Sequence, residues 1–143
     1  MTAKEWLSRG FRLKTEKEQL ERMREETFAR LTKVTQNISG ETVSSSKDPH
    51  KYDVLIQLDT EIEDKIRELD RVRLEIFKAI QRLPDRRYRM VLLGRYYECL
   101  PWCDIATLMH YDERQIYRFH GMALTAIEPF ILRTSAKKEE AVD

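Results

Sequence analysis

The chain has 143 residues, of which 36% are charged and 41% hydrophobic, with only 4 Gly and 4 Pro. Its 26 Lys and Arg stand against 25 Asp and Glu, which excludes a strongly basic coat over the whole surface. So many charged residues with so few Gly and Pro are typical of long, solvated helices and not of a sheet protein. No run of about 18 apolar residues occurs, and two cysteines make no disulfide framework. We therefore expect a cytoplasmic, all-α protein that does not enter a membrane.

Two long amphipathic helices are predicted in residues 1–83. The first starts at Thr2 and Glu5, which match a capping box, Thr-x-x-Glu. A polar loop follows over residues 36–50, and the second helix starts at Pro49. Apolar residues of the second helix recur at steps of three, four and seven, as in a coiled-coil seam. Similar lengths joined by one loop predict a long antiparallel coiled-coil helical hairpin, and two helices of a compact bundle are the alternative.

The second helix has more apolar residues than one partner helix can cover. Those that lie off the seam are Leu58, Val72, Leu74 and Phe77. We therefore expect a homodimer through the N-terminal hairpin, or docking of the C-terminal domain onto it. Two seam positions of the second helix are polar, Asp59 and Arg73, and Thr27 is the polar exception in the seven-residue register of the first helix.

Three shorter helices are predicted in residues 84–132, the first of them with Val91, Leu92 and Tyr96 inward. A short helix over residues 101–109 then precedes a tight turn at His110 and Tyr111. Asp112 caps the last helix, which Pro129 is expected to end within about a turn. A short helix, a tight turn and an amphipathic helix form the helix-turn-helix pattern.

The order of anchor residues in these helices resembles region four of bacterial sigma factors. The anchors are Arg95, Tyr96, Trp102, Ile105, Ala106, Met109, His110, Tyr111, Gln115, Ile116, Ala123 and Leu124. Residues 1–7, 31–36 and 43–51 also resemble a family of small phage and prophage proteins, the ArpU-like and RinA-like phage transcriptional regulators. This resemblance implies a DNA-binding regulator of phage late genes with a sigma-like helix-turn-helix domain.

Two features depart from that family pattern. Pro101 stands where a Ser or Thr cap usually starts the first helix of the motif, which costs about 1 kcal/mol of capping. The expected recognition helix is also barely basic, because Glu113 occupies a position where a cation would help to bind DNA.

The outward face of that helix holds the candidate base-reading residues, with Met122 at its edge. A recognition helix presents its N-terminal, outward side chains to the major groove. Gln115 can pair with adenine, and Arg114 or Arg118 with guanine. The candidates are Glu113, Arg114, Gln115, Tyr117 and Arg118. An ordinary solvated helix face is the alternative interpretation.

Three arginines cluster in the first turn of the preceding helix: Arg86, Arg87 and Arg89. They are candidates for binding backbone phosphates. The alternative is that one or more of them pairs with Asp85 or with acidic residues of the hairpin. We expect Arg95 to lie in an internal ion pair.

Basic and acidic residues balance within each segment of the sequence. Residues 1–83 carry 17 basic and 16 acidic side chains, and residues 84–132 carry 6 of each. The remaining residues, 133–143, are predicted to be a flexible tail. Local neutrality predicts few phosphate contacts, and hence modest affinity for double-stranded DNA without a second copy of the chain or bacterial RNA polymerase.

Catalysis and metal binding lack sequence support. The chain has no glycine-rich phosphate loop, no nucleophile elbow and no His-Glu-x-x-His motif, so we expect no enzyme and no cofactor. Cys99, Cys103, His110 and His120 lack the spacing of a zinc site. Two other functions stay open: a small DNA-packaging subunit that forms a ring, and an adaptor whose helix-turn-helix binds only protein.

Overall fold

The computed structural model describes the backbone of residues 1–39 and 49–142, and the side chains of residues 1–33 and 50–133. Within these ranges the chain forms five α-helices and one short π-helical segment and contains no strand, which confirms the prediction of an all-α protein. The helices are α1 (Ala3–Ser39), α2 (Pro49–Gln81), α3 (Arg86–Leu92), α4 (Trp102–Met109) and α5 (Glu113–Val142), and the π segment is Leu93–Tyr97.

The starts of α1 and α2 follow local capping chemistry. The N–H of Thr2 donates to Glu5 Oε2 at 3.1 Å, and the N–H of Glu5 donates to Thr2 Oγ1 at 3.2 Å. This reciprocal pair confirms the predicted capping box. Helix α2 begins at Pro49 as predicted. Proline suits the first helical position, because the N–H that it lacks would have no partner within the helix there. Helix α1 continues to Ser39 and so takes the first residues of the predicted loop, of which residues 40–48 lie outside the described residues.

Packing divides the chain into two compact units that group residues differently from the predicted domain ranges. The α1–α2 unit is Thr15–Asp70, and the five-helix unit joins Met1–Lys14 to Arg71–Asp143. The first turns of α1 and the last turns of α2 therefore belong with α3, α4 and α5. A boundary drawn at residue 83 from helix periodicity separates segments that pack together.

In the α1–α2 unit, ion pairs set the register of the two helices. Lys17 Nζ lies 2.7 Å from Asp70 Oδ1, while Arg24 lies 3.3 Å from Asp59 and 3.5 Å from Glu63. Later residues of α1 thus lie beside earlier residues of α2. Asp59, one of the polar seam positions, is half-buried and has its charge balanced by Arg24.

A second polar seam position, Thr27, is buried in the same unit. Its hydroxyl donates to the carbonyl oxygen of Met23 at 2.9 Å, so its burial leaves no unsatisfied polar group. The buried apolar residues of α2 in this unit are Leu55, Ile62 and Leu69. The seam predicted from the spacing of these residues is therefore the buried side of α2.

The five-helix unit has two hydrophobic clusters. The larger lies where α1, α2, α3, the π segment and α5 meet, and its most deeply buried residues are Leu7, Ile76, Ile80, Leu83, Leu92, Tyr96, Ala123 and Ile127. The smaller joins α3 to α4 and α5 through Val91, Ile105, Ala106, Ile116 and Phe119. The predicted inward positions Val91, Leu92 and Tyr96 are confirmed as buried.

Helix α1 and the π segment approach most closely at Gly10. This residue is buried, and a Cβ atom placed on it would overlap the carbonyl oxygen of Tyr96. Only glycine leaves room for the two backbones at this point. The close approach brings the first turns of α1 into the larger cluster, where Trp6 and Leu7 are buried.

The prediction that Pro129 ends α5 within about a turn is wrong, because the helix continues to Val142. Proline inside a helix costs about 3 kcal/mol through one missing hydrogen bond and a ring clash. Ile127 and Ile131, two residues away on either side, are both buried in the larger cluster. Burying such a side chain contributes roughly 1.5–3 kcal/mol, so the pair offsets the cost of Pro129. The predicted flexible tail is accordingly helical in its backbone as far as Val142.

Candidate nucleic-acid interface

Helix α4 packs against the first half of α5 through apolar side chains. Ile105 and Ala106 of α4 share the smaller cluster with Ile116 and Phe119 of α5. Pro101, the residue before α4, provides no side-chain cap, in line with the departure noted from the sequence. The orientation of α4 is therefore held by this packing and by the turn that follows it.

The turn between α4 and α5 is closed by a backbone hydrogen bond at its start and by a side-chain cap at its end. His110 adopts a left-handed conformation with φ of 62°, and the N–H of Tyr111 donates to the carbonyl of Ala106 at 3.1 Å. This pattern ends a helix sharply. Asp112 Oδ1 then accepts from the N–H of Gln115 at 2.8 Å and caps the start of α5, as predicted.

The first three turns of α5 have one buried side and one exposed side. Ile116, Phe119 and Ala123 are buried, as the sequence predicts for the inward positions. The five predicted outward residues are all exposed: Glu113, Arg114, Gln115, Tyr117 and Arg118. Among the described residues, the side chains of Arg114 and Arg118 form no ion pair, so both guanidinium groups keep their donors available to a partner.

Two of these outward residues, Gln115 and Arg118, border an open depression of about 280 Å³. Its other lining residues are Arg87, Tyr111, Phe119 and Met122. Phe119 also makes an edge-on contact with Tyr111, with ring centres 5.1 Å apart. The depression thus combines two cations, an amide and a phenol with two apolar side chains.

The three arginines of α3 are in different surroundings. Arg87 lies 3.1 Å from Asp85 and stacks 5.1 Å from the ring centre of Phe119. Arg89 donates to the carbonyls of Leu83 at 2.6 Å and Pro84 at 3.0 Å. Arg86 is exposed, and its side chain has no hydrogen bond or ion pair within the described part of the chain.

These surroundings decide which of the three arginines is available to a phosphate. The alternative of an ion pair with Asp85 holds for Arg87, whose hydrogen bonds keep the pKa of the Asp85 carboxyl below its usual value. Nη1 of Arg89 is used on the carbonyls of Leu83 and Pro84, in the turn between α2 and α3. Arg86 is therefore the arginine of this turn with the most freedom to bind an anion.

Within the described residues, Arg95 does not form the internal ion pair expected from the sequence. Its guanidinium lies 5.0 Å from the ring centre of Phe11 and 4.5 Å from that of Trp102. Its Nη1 donates to the carbonyl of Leu100 at 3.1 Å. Two aromatic faces and one carbonyl take the place of the expected carboxylate, and no periodic pattern in the sequence indicates this arrangement.

His120 lies on the inner side of α5 in an aromatic cluster. Its Nε2 is 2.6 Å from the hydroxyl of Tyr96, and its ring contacts Trp102 with centres 4.7 Å apart. Burial, together with the charges of Lys4 and Arg95, lowers the pKa of His120 to about 4. The ring is therefore neutral at pH 7.

The sulfur and imidazole groups considered as zinc ligands do not converge. Within residues 1–33 and 50–133, no three His, Cys, Asp or Glu side chains come together as metal ligands. The ring of His120 contacts Tyr96, and Cys103 is exposed near Asp104.

The formal charge is divided unevenly between the two compact units. The five-helix unit holds 17 Lys and Arg against 11 Asp and Glu, a net charge of +6, and the α1–α2 unit holds 9 against 14, a net charge of −5. The expected local neutrality is therefore wrong for the packed units. It arises only when the basic ends of α1 and α2 are counted with the acidic remainder of these helices.

In the part of the chain that the structure describes, no helix is both long and apolar enough to cross a bilayer. Comparison of the sequence with protein-family models and with curated proteins gave no match. Comparison of the fold with solved structures gave no match either.

Proposed function

We propose that this protein is a sequence-specific DNA-binding regulator of transcription, with α4 and α5 as its helix-turn-helix. The observation that carries the proposal is that the first turns of α5 are buried on one side and exposed on the other. Its inner side is locked against α4 through Ile116 and Phe119, while its outer side exposes Arg114, Gln115 and Arg118. A recognition helix needs this arrangement, because it must be held rigidly while its side chains enter the major groove.

Four of the five exposed residues receive a role from their chemistry. Gln115 pairs with adenine, and Arg114 and Arg118 pair with guanine. Tyr117, whose ring contacts Trp102 at 5.1 Å, contacts a phosphate or a thymine methyl group in this proposal. Arg86 binds a backbone phosphate, whereas Arg87 contributes through the depression that it shares with Arg118.

The charge of the five-helix unit supports stronger DNA binding than the sequence suggests. A net charge of +6 on the unit that contains α5 favours association with a polyanion. Each phosphate neutralised by a cation makes the affinity more dependent on salt. Binding without RNA polymerase is therefore part of the proposal, and the polymerase adds affinity at a promoter.

In this proposal the two long helices, α1 and α2, mediate oligomerisation. The pairing of Lys17 with Asp70 and of Arg24 with Asp59 supports an antiparallel coiled-coil hairpin. Large apolar side chains remain exposed in this unit: Met23, Phe28, Tyr52, Val54, Ile56 and Leu58. We infer a homodimer through this hairpin, which would place two recognition helices on two half-sites.

The phage context rests on the family resemblance of the sequence, and the targets proposed on that basis are phage late genes. The experiment that tests the function is selection of duplexes from a random DNA pool by the purified full-length protein, with and without bacterial RNA polymerase. Enrichment of one consensus motif is the expected result. A pool that stays random at low salt under both conditions would contradict the proposal, and assembly into a ring of eight or more copies would favour DNA packaging instead.

A further inference from the structure

The end of α2 within the five-helix unit has an exposed stripe on one side of the helix. The spacing of its members, mainly three and four residues, places them on a single face. We call this face the α2 stripe, and it consists of Arg71, Leu74, Phe77, Lys78, Gln81 and Arg82. It contains three cations, two large apolar side chains and no acidic residue.

The two apolar residues of the α2 stripe stay exposed, although docking of the C-terminal helices is one of the two covers expected from the sequence. Leu74 is 49% exposed and Phe77 is 39% exposed. The ring of Phe77 rests against that of Tyr97 with centres 5.9 Å apart, and Arg73 stacks on Tyr97 at 4.3 Å. This stack holds Phe77 in place before any partner arrives, which lowers the entropic cost of binding.

The three cations of the α2 stripe lack internal partners. No ion pair or side-chain hydrogen bond within the described residues involves Arg71, Lys78 or Arg82. In the α1–α2 unit, by contrast, Lys17 and Arg24 are both paired with carboxylates. An uncompensated row of cations is a surface complementary to negative charge.

The nearest carboxylate along the helix does not neutralise the stripe. Glu75 is half-buried, and its charge interacts with Arg9 of α1. Arg9 itself stacks 4.6 Å from the ring centre of Trp6, a buried residue of the larger cluster. Glu75 also follows Arg71 by one helical turn, and counting it on this face leaves three cations against one carboxylate, so the stripe stays positively charged.

We propose that the α2 stripe docks an acidic amphipathic helix of a second protein. Leu74 and Phe77 would insert between apolar residues of that helix, while Arg71, Lys78 and Arg82 would pair with its carboxylates. A DNA backbone also carries negative charge, but phosphates are bound by cations and polar groups and offer no cover for two large apolar side chains. The apolar centre of the stripe therefore favours a protein partner. This inference does not depend on the proposed function of α5.

Selection from a display library of random peptides of about 16 residues, on the immobilised full-length protein, tests this inference. We expect the enriched peptides to be acidic, with apolar residues at helical spacing. One enriched peptide, labelled with fluorescein, then serves as the probe in anisotropy titrations. The variant Arg71→Glu, Lys78→Glu, Arg82→Glu should bind it at least about tenfold more weakly. Leu74→Ser should weaken binding by a similar factor without changing the charge.

Lys51→Glu is the matched control, because it reverses the charge of an exposed cation about 30 Å before Arg71 along α2. It should leave peptide affinity unchanged. Circular dichroism melts establish that each variant is folded, and Leu74→Ser keeps the test valid if the triple variant is not. Failure to enrich acidic peptides, or equal binding by wild type and both stripe variants, would overturn the inference. Loss of duplex DNA binding by the stripe variants, without peptide binding by the wild type, would assign the stripe to DNA instead.

Discussion

The hydroxyl of Tyr96 lies 2.6 Å from Nε2 of His120, and this bond joins the π segment to α5 inside the aromatic cluster. Tyr96 is 2% exposed, so each ring depends on the other for a polar partner at that position. Protonation of the imidazole is opposed by its burial and by two nearby cations, Lys4 and Arg95. The pair therefore favours the folded state only while His120 is neutral.

The first prediction concerns pH. The pKa of His120 is about 4 in the folded chain, below the value of 6.5 expected when it is unfolded. The unfolded state therefore binds more protons in this window, and stability is lost as the pH falls from about 6.5 towards 4. His120→Gln keeps a polar group but does not titrate. We compare the free energy of unfolding of the wild type with that of His120→Gln. Because the ring is partly solvated, we expect this difference to fall by only about 1 kcal/mol between pH 7 and pH 5.

Urea unfolding of both proteins at the two pH values measures this difference. The carboxylates common to both chains cancel in the comparison, so the difference reports on His120. Stability curves that run parallel between pH 7 and pH 5 would show that the folded state does not hold the imidazole neutral.

The second prediction compares two glycines in helices. Gly10→Ala should destabilise the protein by about 1–3 kcal/mol, because the new methyl group would overlap the carbonyl of Tyr96 and force the backbones apart. Gly121→Ala is the matched control, since a Cβ there meets nothing within 4 Å. Alanine is the better helix former, so the control should gain about 0.5–1 kcal/mol. Thermal melts give the melting temperature of each variant. A change of the melting temperature in the same direction for both would contradict the close approach of α1 to the π segment.

The third prediction concerns the turn before α5. His110 has a left-handed backbone, which costs a side-chain-bearing residue about 1–2 kcal/mol relative to glycine. His110→Gly removes this cost but also raises the conformational entropy of the unfolded chain, which offsets part of the gain. The variant should therefore stabilise the protein by about 0.5–1 kcal/mol. His110→Ala retains the strain and should bring no gain. An equal gain in both variants would mean that the imidazole, and not the backbone, is unfavourable here.

The fourth prediction separates two arginines that are three residues apart. Arg86→Ala should leave the free energy of unfolding unchanged and reduce the slope of log affinity against log salt by about 1, as the loss of one phosphate contact does. Arg89→Ala should instead destabilise the fold by about 1–3 kcal/mol, because it removes the donor to the carbonyls of Leu83 and Pro84. DNA titrations and urea melts of both variants give the two readouts. A swap of these effects would reverse the assigned roles.

Features set by neighbours along the chain were predictable from the sequence. The capping pair Thr2 and Glu5, the cap Asp112 and the buried spacing of Ile116 and Phe119 all follow from local chemistry and helical periodicity. The exposure of the candidate residues on α5 follows from the same periodicity.

Features set by contacts between distant segments were not predictable in this way. Arg95 stacks on Phe11, which is far away in sequence, and α5 continues past Pro129 because Ile127 and Ile131 are buried by other helices. The uneven charge of the units was hidden for the same reason, because only packing shows which segments share a surface. Gly10 carried one usable signal, since a glycine inside a helical pattern often marks a close packing contact.

The central claim is that the exposed start of α5 reads DNA bases, and Arg118 tests it most directly. Fluorescence anisotropy should compare wild type, Arg118→Ala and the control Arg133→Ala, which removes an exposed cation later in α5, on a selected duplex and on a scrambled duplex. We expect Arg118→Ala to lose about 1–3 kcal/mol of affinity for the selected duplex only, and the control to lose little on either. No binding by the wild type at low salt, with or without RNA polymerase, or equal losses for both variants on both duplexes, would contradict the account.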